Sequence, residues 1–228
     1  MKRQKSFSIR VSDDVEALMG TQEPVVALNL MGLSMLNNDD FMPEKSVFWV
    51  DGIVGSFACL LAGLSIKRIP GRDLLVEVAK YIASKRMEQP VFILGGGLKT
   101  PRLTKLMKFA PVQIDFPWIN SSDDINNFFL ENFCANSIVF IAIASPKQEW
   151  LARVIYEKKS AKCICIGGAL NMLEGIEKRP PEIISKLGVE WLYRLQHEPR
   201  RRLKRLLDSL FKGLKSLFYA KNIRKLKY

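Results

Sequence analysis

An acidic residue stands directly after an apolar run in the first quarter of the chain. Asp51 follows SVFWV (residues 46–50) and precedes Gly52. A carboxylate just past a buried strand can act as a general base or accept a hydrogen bond from a sugar hydroxyl. The same position also suits an Asp that closes a strand through an Asx turn. The residues themselves support the two interpretations equally.

The segment ASPKQE (residues 144–149) is a second candidate site. Its first residue closes the apolar run SIVFIAIA (residues 137–144), and it contains Ser145, Pro146, Lys147 and Gln148. Because Pro favours the first position of a helix, Lys147 and Gln148 are expected at a helix N-terminus, where backbone N–H groups attract anions. Simple capping would explain Ser145 and Pro146 but not the Lys-Gln pair. The segment therefore predicts an anion-binding site.

Two glycine clusters also follow apolar runs. They are LGGG (residues 94–97) and IGG (residues 166–168). Such turns leave backbone N–H groups able to bind phosphate, although a plain strand-to-helix turn explains either cluster equally well. Neither matches GxGxxG or GxxxxGK[ST], so neither a dinucleotide fingerprint nor a P-loop is predicted.

These candidate residues must be positioned by regular elements. Apolar runs predict strands at 24–29, 46–50, 90–94, 111–115, 137–144 and 161–166, and spacing and capping predict helices at 74–86, 100–109, 123–133 and 146–159. This alternation predicts an α/β fold with a mostly parallel sheet and helices on both faces. Ligands of such sheets bind outside the carboxyl ends of the strands. Asp51, the glycine clusters and residues 144–149 should therefore converge on one edge.

Length and composition limit the class of protein. The chain has 228 residues, of which 48% are apolar, enough for a folded core rather than a disordered chain. The longest charge-free apolar stretch, residues 53–66, is shorter than the ~20 residues that span a bilayer, so it is predicted to be a buried core segment. The N-terminus is basic but has no apolar h-region, and no secretory signal is predicted.

The cysteines do not predict a metal site. The chain has four, and none forms a CxxC pair: Cys59, Cys134, Cys163 and Cys165. With a single histidine in the chain, zinc has few ligands available. Reduced, buried thiols in a cytosolic protein are expected, with Cys163 and Cys165 on the same face of a strand.

Most of the positive charge lies at the C-terminus. The formal net charge is +12, and residues 199–228 contain eleven Lys or Arg and one acid, which leaves only +2 for the first 198 residues. The apolar residues of this tail recur at helical spacing: Leu203, Leu206, Leu207, Leu210, Phe211, Leu214, Leu217 and Phe218. A basic amphipathic helix suits an anionic membrane surface. The alternatives are a helix packed on the body or a dimer seam, and, ranked last, a nucleic-acid patch.

Several segments of the sequence together resemble a known family. The segment 175–205 is similar to the C-terminal signature of the WecG/TagA/CpsF glycosyltransferases, glycosyltransferase family 26. The other blocks follow in the family's order: VDGIVG (50–55), KRIPGRD (67–73), FILGG (92–96), ASPKQE (144–149) and IGGAL (166–170).

The resemblance implies a fold and an activity. The fold is a Rossmann-like α/β core, here residues 1–178, with a C-terminal basic helical appendage, residues 179–228, that contacts membrane and lipid-linked acceptor. The activity is inverting transfer of a sugar, of the N-acetylmannosamine type or a hexose, from a UDP-sugar to a polyprenyl-pyrophosphate-linked sugar. The products are bacterial cell-surface polysaccharides, made on the cytoplasmic face of the plasma membrane. The oligomeric state is left open, and no nucleic-acid partner is expected.

The resemblance also implies roles for individual residues. Asp51 matches the family's base, and Asn29, Arg68 and Gln148 match positions in the active-site pocket. The UDP-sugar is assigned to the glycine turns and the ASPKQE segment, with these residues: Gly95, Gly96, Ser145, Lys147, Gly167 and Gly168. The acceptor pyrophosphate is assigned to Arg194, Arg201 and Lys204. The chain has no DxD motif, so arginine and helix-start N–H groups are expected to stabilise the leaving UDP without a metal.

Two departures from the family pattern support an alternative. Ala27 stands where the family usually has Thr, and Leu170-Asn171 stand where it often has Phe-Asp. These changes bear on the donor sugar. They also motivate the hypothesis of a non-catalytic scaffold that kept the fold and the membrane tail.

Overall fold

The structure, a computed structural model, describes most of the body and isolated positions of the tail. The described residues are 9–36, 45–95, 99–115, 130–178, 180–187, 190, 193, 203, 207, 209, 213 and 223–226. The strands are β1 (Ile9–Val11), β2 (Val25–Leu28), β3 (Val47–Val50), β4 (Val91–Leu94), β5 (Val112–Ile114), β6 (Ile138–Ile141), β7 (Lys162–Cys165) and β8 (Ile223–Lys225). The helices are α1 (Val15–Gly20), α2 (Leu30–Met35), α3 (Gly52–Leu61), α4 (Gly71–Ser84), α5 (Pro101–Met107), α6 (Lys147–Lys159), α7 (Ala169–Glu174) and α8 (Glu182–Leu187).

These strands form one parallel sheet. Their order is β5-β4-β6-β7-β2-β3-β1-β8, and every pairing is parallel. The predicted α/β class and parallel sheet are confirmed, and all six predicted strands are present. The helix predicted at 123–133 lies outside the described residues except for its last four positions.

The inner strands β2, β3, β4, β6 and β7 are buried on both faces, which explains their continuous apolar runs. Alternate residues point to opposite sides: Val26 and Leu28 join one core, whereas Val25 and Ala27 join the other. The first core is covered by α2, α3 and α6. The second is covered by α1, α4, α5 and α7. A strand with helices on both sides has no solvent-facing side, so its apolar residues do not alternate with polar ones.

A change of winding direction opens a crevice near the middle of the sheet. Strands β2 and β7 are neighbours, but β2 leads into α2 on one face and β7 leads into α7 on the other. The connections diverge, an arrangement that in open α/β sheets leaves a space above the carboxyl ends of the two strands. This is the position at which open α/β sheets bind ligands.

The C-terminal residues return to the body. Strand β8 pairs with β1, and Ile223 is buried in the first core. Ser209 and Gly213 are helical and buried, and they contact Met31 and Leu30 of α2. The sequence did not predict β8. The division into a core and an appendage at residue 178 stays a prediction.

The prediction of a buried segment at 53–66 is wrong for one side of α3. Gly55, Ala58 and Cys59 are buried, but four large apolar side chains of the same helix are at least half exposed: Ile53, Phe57, Leu60 and Leu61. The helix has no charged residue on any side, and the body covers only one side of it. Within the described ranges, no helix is long and apolar enough to cross a membrane.

The cysteines follow the expectation with one exception. Cys59, Cys163 and Cys165 are free and buried, and the last two lie in the same core as predicted. Cys134 is exposed instead, where a hydrogen bond with the Ser137 hydroxyl lowers the pKa of its thiol.

A buried lysine supports the amino-terminal edge of the sheet. The ammonium of Lys162 donates to the carbonyls of Leu18, Thr21 and Glu23 and to the Thr21 hydroxyl at 2.6–2.9 Å. It thereby binds the end of α1 to β7. Burial lowers the pKa of Lys162 to about 7 from 10.5, against the opposing attraction of the Glu23 carboxylate.

This lowered pKa predicts a pH dependence of stability. An unfolded chain with a pKa of 10.5 binds more protons than the folded protein between about pH 7 and pH 10.5. The free energy of unfolding should therefore rise with pH across that window and lose this contribution below it. Lys162→Met should lack the rise. Urea denaturation of both proteins at several pH values tests this, and parallel stability curves would contradict it.

Candidate active site

The residue assigned as the base and one residue assigned to the active-site pocket meet at the ends of neighbouring strands. Asn29 follows β2, Asp51 follows β3, and the Asn29 side-chain nitrogen lies 3.4 Å from a carboxylate oxygen of Asp51. The Asn29 side-chain oxygen accepts from the backbone N–H of Gly32 at 3.0 Å. This N-cap contact fixes which end of the amide faces Asp51, so that a half-buried carboxylate is held by an N–H donor.

The backbone around Asp51 is tightly fixed. Its N–H donates to the Leu28 carbonyl at 3.2 Å, and the N–H of Ile69 donates to the Val50 carbonyl at 2.9 Å. Helix α3 begins at the next residue and approaches β2 so closely that a methyl group on Gly55 would lie 1.8 Å from the Leu28 oxygen. The position of Asp51 therefore depends on β2, α3 and the loop before α4.

A buried polar cluster lies on the other side of the crevice. Gln148 donates to the Ser145 hydroxyl at 2.7 Å and to the Glu149 carboxylate at 2.8 Å, and its oxygen accepts from the Gly167 N–H at 3.0 Å. The Ser145 hydroxyl also donates to Glu149 at 2.7 Å. Gln148 and Glu149 are both buried. The amide thus links the start of α6 to the turn after β7.

Glu149 was not predicted from the sequence as a site residue. Its position one residue after Gln148 and three before Ala152, on the buried side of α6, was a signal that it belongs to this cluster. Complete burial raises the pKa of the neighbouring Cys165 thiol, and the negative charge of Glu149 raises it further.

The spacing of the strands sets the width of the crevice. Gly167 follows β7, Asn29 follows β2, and Asp51 follows β3, and these three strands are consecutive in the sheet. Adjacent strands lie about 4.8 Å apart, so the Gln148 cluster and Asp51 are separated by two such spacings, roughly 10 Å.

The backbone conformation and close packing after β4 explain why a glycine stands at position 95. Gly95 has φ of +106° and packs so closely on the residues after β6 that a methyl group would lie 2.6 Å from Ile143. The first free amides of α5, those of Arg102 and Leu103, donate to the Glu174 carboxylate at 3.0 and 2.9 Å. These two amides are therefore occupied within the protein. The assignment of Gly95 to the UDP-sugar stays a prediction.

The arginines after α3 contact the start of the C-terminal segment. Arg68 donates to the carbonyl of Ser185 in α8, and Arg72 donates to the Ser185 hydroxyl at 3.1 Å. Because Ile69 is bonded to the end of β3, Arg68 lies beside the Asp51 segment. Two arginines thus bring α8 to the edge of the crevice. Arg72 and Ser185 were not predicted from the sequence, although Arg72 lies in the same KRIPGRD block.

The remaining assigned residues are only partly placed. Lys147 is exposed in the first turn of α6, and Gly168 is exposed beside Glu177. Gly96, Arg194, Arg201 and Lys204 lie outside the described residues. Within the part of the chain that is described, no three His, Cys, Asp or Glu side chains come together as a metal site would require.

The crevice thus combines a carboxylate held by an amide, a second buried amide cluster and two nearby arginines. The family model for the WecG/TagA/CpsF glycosyl transferases matches residues 8–226, nearly the whole chain. The chain belongs to this family. It is therefore a glycosyltransferase, an enzyme of cell-surface polysaccharide synthesis whose substrates are a sugar donor and an acceptor.

This membership changes the weight of the competing interpretations. A glycosyltransferase must bind a donor and deprotonate an acceptor hydroxyl, and the crevice of this glycosyltransferase has a carboxylate on one side and buried amides on the other. An Asx turn at Asp51 would not require Asn29 to face it. The assignment of Asp51 as the base stays a prediction.

Proposed function

We propose that this glycosyltransferase moves a sugar from a UDP-sugar to a polyprenyl-pyrophosphate-linked sugar, with inversion at the anomeric carbon and without a metal. The contact of Asn29 with Asp51 in the crevice between β7, β2 and β3 is the observation that carries the proposal. The Asp51 carboxylate takes the proton of the acceptor hydroxyl while that oxygen forms a bond to the anomeric carbon. The bond from that carbon to the UDP oxygen breaks, and UDP leaves with the electron pair.

The charge that develops on UDP has to be stabilised. Arg68 supplies a guanidinium beside the Asp51 segment, and Lys147 lies at the start of α6 across the crevice. Guanidinium and ammonium groups form charge-assisted hydrogen bonds to phosphate. Arg194, Arg201 and Lys204 are proposed to hold the acceptor pyrophosphate. This set of cations can replace the metal that DxD-containing transferases use.

Product stereochemistry tests the mechanism. The purified protein is incubated with a panel of UDP-N-acetylhexosamines and UDP-hexoses and a polyprenyl-pyrophosphoryl-sugar acceptor, with and without EDTA. A product with the anomeric configuration opposite to that of the donor, formed equally with EDTA, is expected. Retention of configuration would overturn direct displacement, and loss of turnover with EDTA would overturn metal independence.

Gln148 is expected to affect binding of the donor. Gln148→Met keeps the volume but removes one of the two acceptors of the Gly167 N–H, the other being the Ile141 carbonyl, and a donor to the buried Glu149. We expect the substitution to cost about 1.4 kcal/mol of donor-binding free energy, which is a factor of ten in affinity. The KM for the UDP-sugar should therefore rise about tenfold, with a smaller change in kcat. Gln113→Met, at an exposed position on β5, is the control, and equal KM values for the two variants would contradict the role of Gln148.

The basic tail is proposed to bind the enzyme to the inner face of the plasma membrane. Each Lys or Arg near an anionic surface contributes about 1 kcal/mol. Changing Arg200, Arg202 and Arg205 to Gln should weaken binding to anionic vesicles about 100-fold, since about 1.4 kcal/mol is a factor of ten. Truncation would be a poorer test, because it removes β8 from the sheet.

A matched control removes the same charge from the body. Lys80, Lys105 and Lys158 are exposed on α4, α5 and α6, and all three can be changed to Gln. Co-sedimentation with vesicles measures both triple variants. Equal loss of binding by the two would show that net charge, rather than the tail, governs attachment.

A further inference from the structure

Helix α3 exposes an apolar face beside the candidate active site. Ile53, Phe57, Leu60 and Leu61 are exposed by 50, 50, 68 and 53%, respectively. Their spacing of four, three and one places them within about 100° of one another around the helix. We call these four residues the α3 stripe. The described residues of the body leave all four accessible to solvent.

The α3 stripe cannot turn inward. The opposite side of the helix carries Gly55, Ala58 and Cys59, which pack on the sheet. A methyl group on Gly55 would lie 1.8 Å from the Leu28 oxygen, so only this side of α3 can face β2. No charged residue occurs between positions 52 and 66. Large exposed apolar patches of this kind indicate contact with another molecule or a membrane.

The tail packs against α2, on the same side of the sheet as α3, and has exposed apolar residues of its own. Ser209 and Gly213 contact Met31 and Leu30, and α2 and α3 cover the same core. Leu203 and Leu207, one turn apart, are exposed by 46 and 48%. Helix α2 is therefore contacted both by α3 and by a segment that contains eleven basic residues.

We propose that the α3 stripe inserts into the interfacial layer of an anionic bilayer, as a second contact besides the basic tail. Apolar side chains next to Lys and Arg are the combination that binds such a surface. A second copy of the chain suits this face less well. A specific dimer buries about 800 Å² from about 20–30 residues on each partner, and the stripe supplies four.

This contact would fix the orientation of the enzyme. Helix α3 starts at the residue after Asp51 and is about 15 Å long. When the exposed side of α3 is embedded in the interface, Asp51 is held close to the lipid headgroups. The pyrophosphate of a polyprenyl-linked acceptor lies at the same depth. This consequence rests on the proposed function, whereas the bilayer contact does not require it.

Insertion can be measured directly on the full chain. Cys134 is the exposed cysteine among the four, so Cys134→Ser combined with Leu60→Cys offers one accessible thiol for an environment-sensitive fluorophore. Vesicles contain 30% phosphatidylglycerol in phosphatidylcholine, with or without brominated acyl chains. A blue shift on binding and quenching by brominated lipid are expected. A bound protein whose label at position 60 is neither shifted nor quenched would overturn the proposal.

The affinity of the protein for vesicles provides a second test. Phe57→Ser with Leu60→Ser should weaken binding to these vesicles at least tenfold. Val112→Ser with Ile176→Ser removes two other exposed apolar residues and should leave binding unchanged. If the Phe57/Leu60 variant binds vesicles normally but abolishes a dimer seen by sedimentation, the stripe joins two copies and the proposal is wrong.

A soluble acceptor separates this proposal from the proposed function. With a short-chain, water-soluble pyrophosphoryl-sugar acceptor and no vesicles, the Phe57/Leu60 variant should turn over like the unchanged protein. Loss of transfer with every donor and acceptor by the unchanged protein would refute the proposed function alone. Normal vesicle binding by the variant would refute the bilayer contact alone.

Discussion

Asp51→Asn is expected to lower kcat for sugar transfer by about 10²–10⁴-fold, the contribution typical of a positioned general base. The substitution keeps the size of the side chain and an oxygen that can accept from Asn29, which lies 3.4 Å away. It removes only the capacity to take the acceptor proton. The KM for the UDP-sugar should change little, because the proton is taken from the acceptor. Initial rates at saturating donor and acceptor measure the effect.

The control is an aspartate in a comparable backbone position. Asp115 also follows a strand, β5, but this is the last strand of the sheet, and the side chain is exposed. Asp115→Asn should therefore leave kcat unchanged. Urea denaturation of both variants separates chemistry from stability. Undiminished turnover by Asp51→Asn, with the fold intact, would remove this carboxylate from the mechanism.

The parts of the fold that the sequence predicted best are those fixed by local burial. A parallel strand with helices on both faces is apolar at successive positions, and residues 46–50 and 90–94 show this plainly. Once these runs are strands of one parallel sheet, the residues after them must lie at one edge. Asp51, Ser145 and Gly167 follow strands and are found there.

Two features were not predicted correctly, the exposed side of α3 and strand β8, and they share a different cause. Helix α3 has no charged residue on any side, so the sequence alone could not show which side the sheet covers. Strand β8 contains Arg224 and Lys225 within a basic segment, and its pairing with β1 joins the two ends of the chain. No local pattern in either segment specifies such a distant partner.

The contacts that complete the candidate site are also long-range. Arg68 and Ser185 are 117 residues apart, and Glu174 binds the amide of Arg102 from 72 residues away. The family resemblance assigned Arg68 to the active-site pocket but did not identify Ser185 as its hydrogen-bond partner. Topology, which decides that α8 passes the end of β3, is needed to pair them.

Gly55→Ala should have the largest effect on stability. The added methyl group would lie 1.8 Å from the Leu28 oxygen and 2.9 Å from its carbon, so the helix or the strand has to move. The strand is constrained, since that oxygen also accepts from the Asp51 N–H. Overpacking of this kind costs about 3 kcal/mol of unfolding free energy, more than the ~1 kcal/mol that Ala gains over Gly in a helix.

The matched control is Gly71→Ala at the start of α4. A methyl group there would lie 3.8 Å from Ala169 and 4.0 Å from Trp49, ordinary van der Waals distances, so stability should be unchanged or slightly higher. Urea denaturation measures both variants. Because α3 begins next to Asp51, the folded fraction of the Gly55→Ala protein should also transfer sugar more slowly than the Gly71→Ala protein. Equal stability of the two variants would show that α3 can move away from β2 without cost, and the fixed position of Asp51 would then need another explanation.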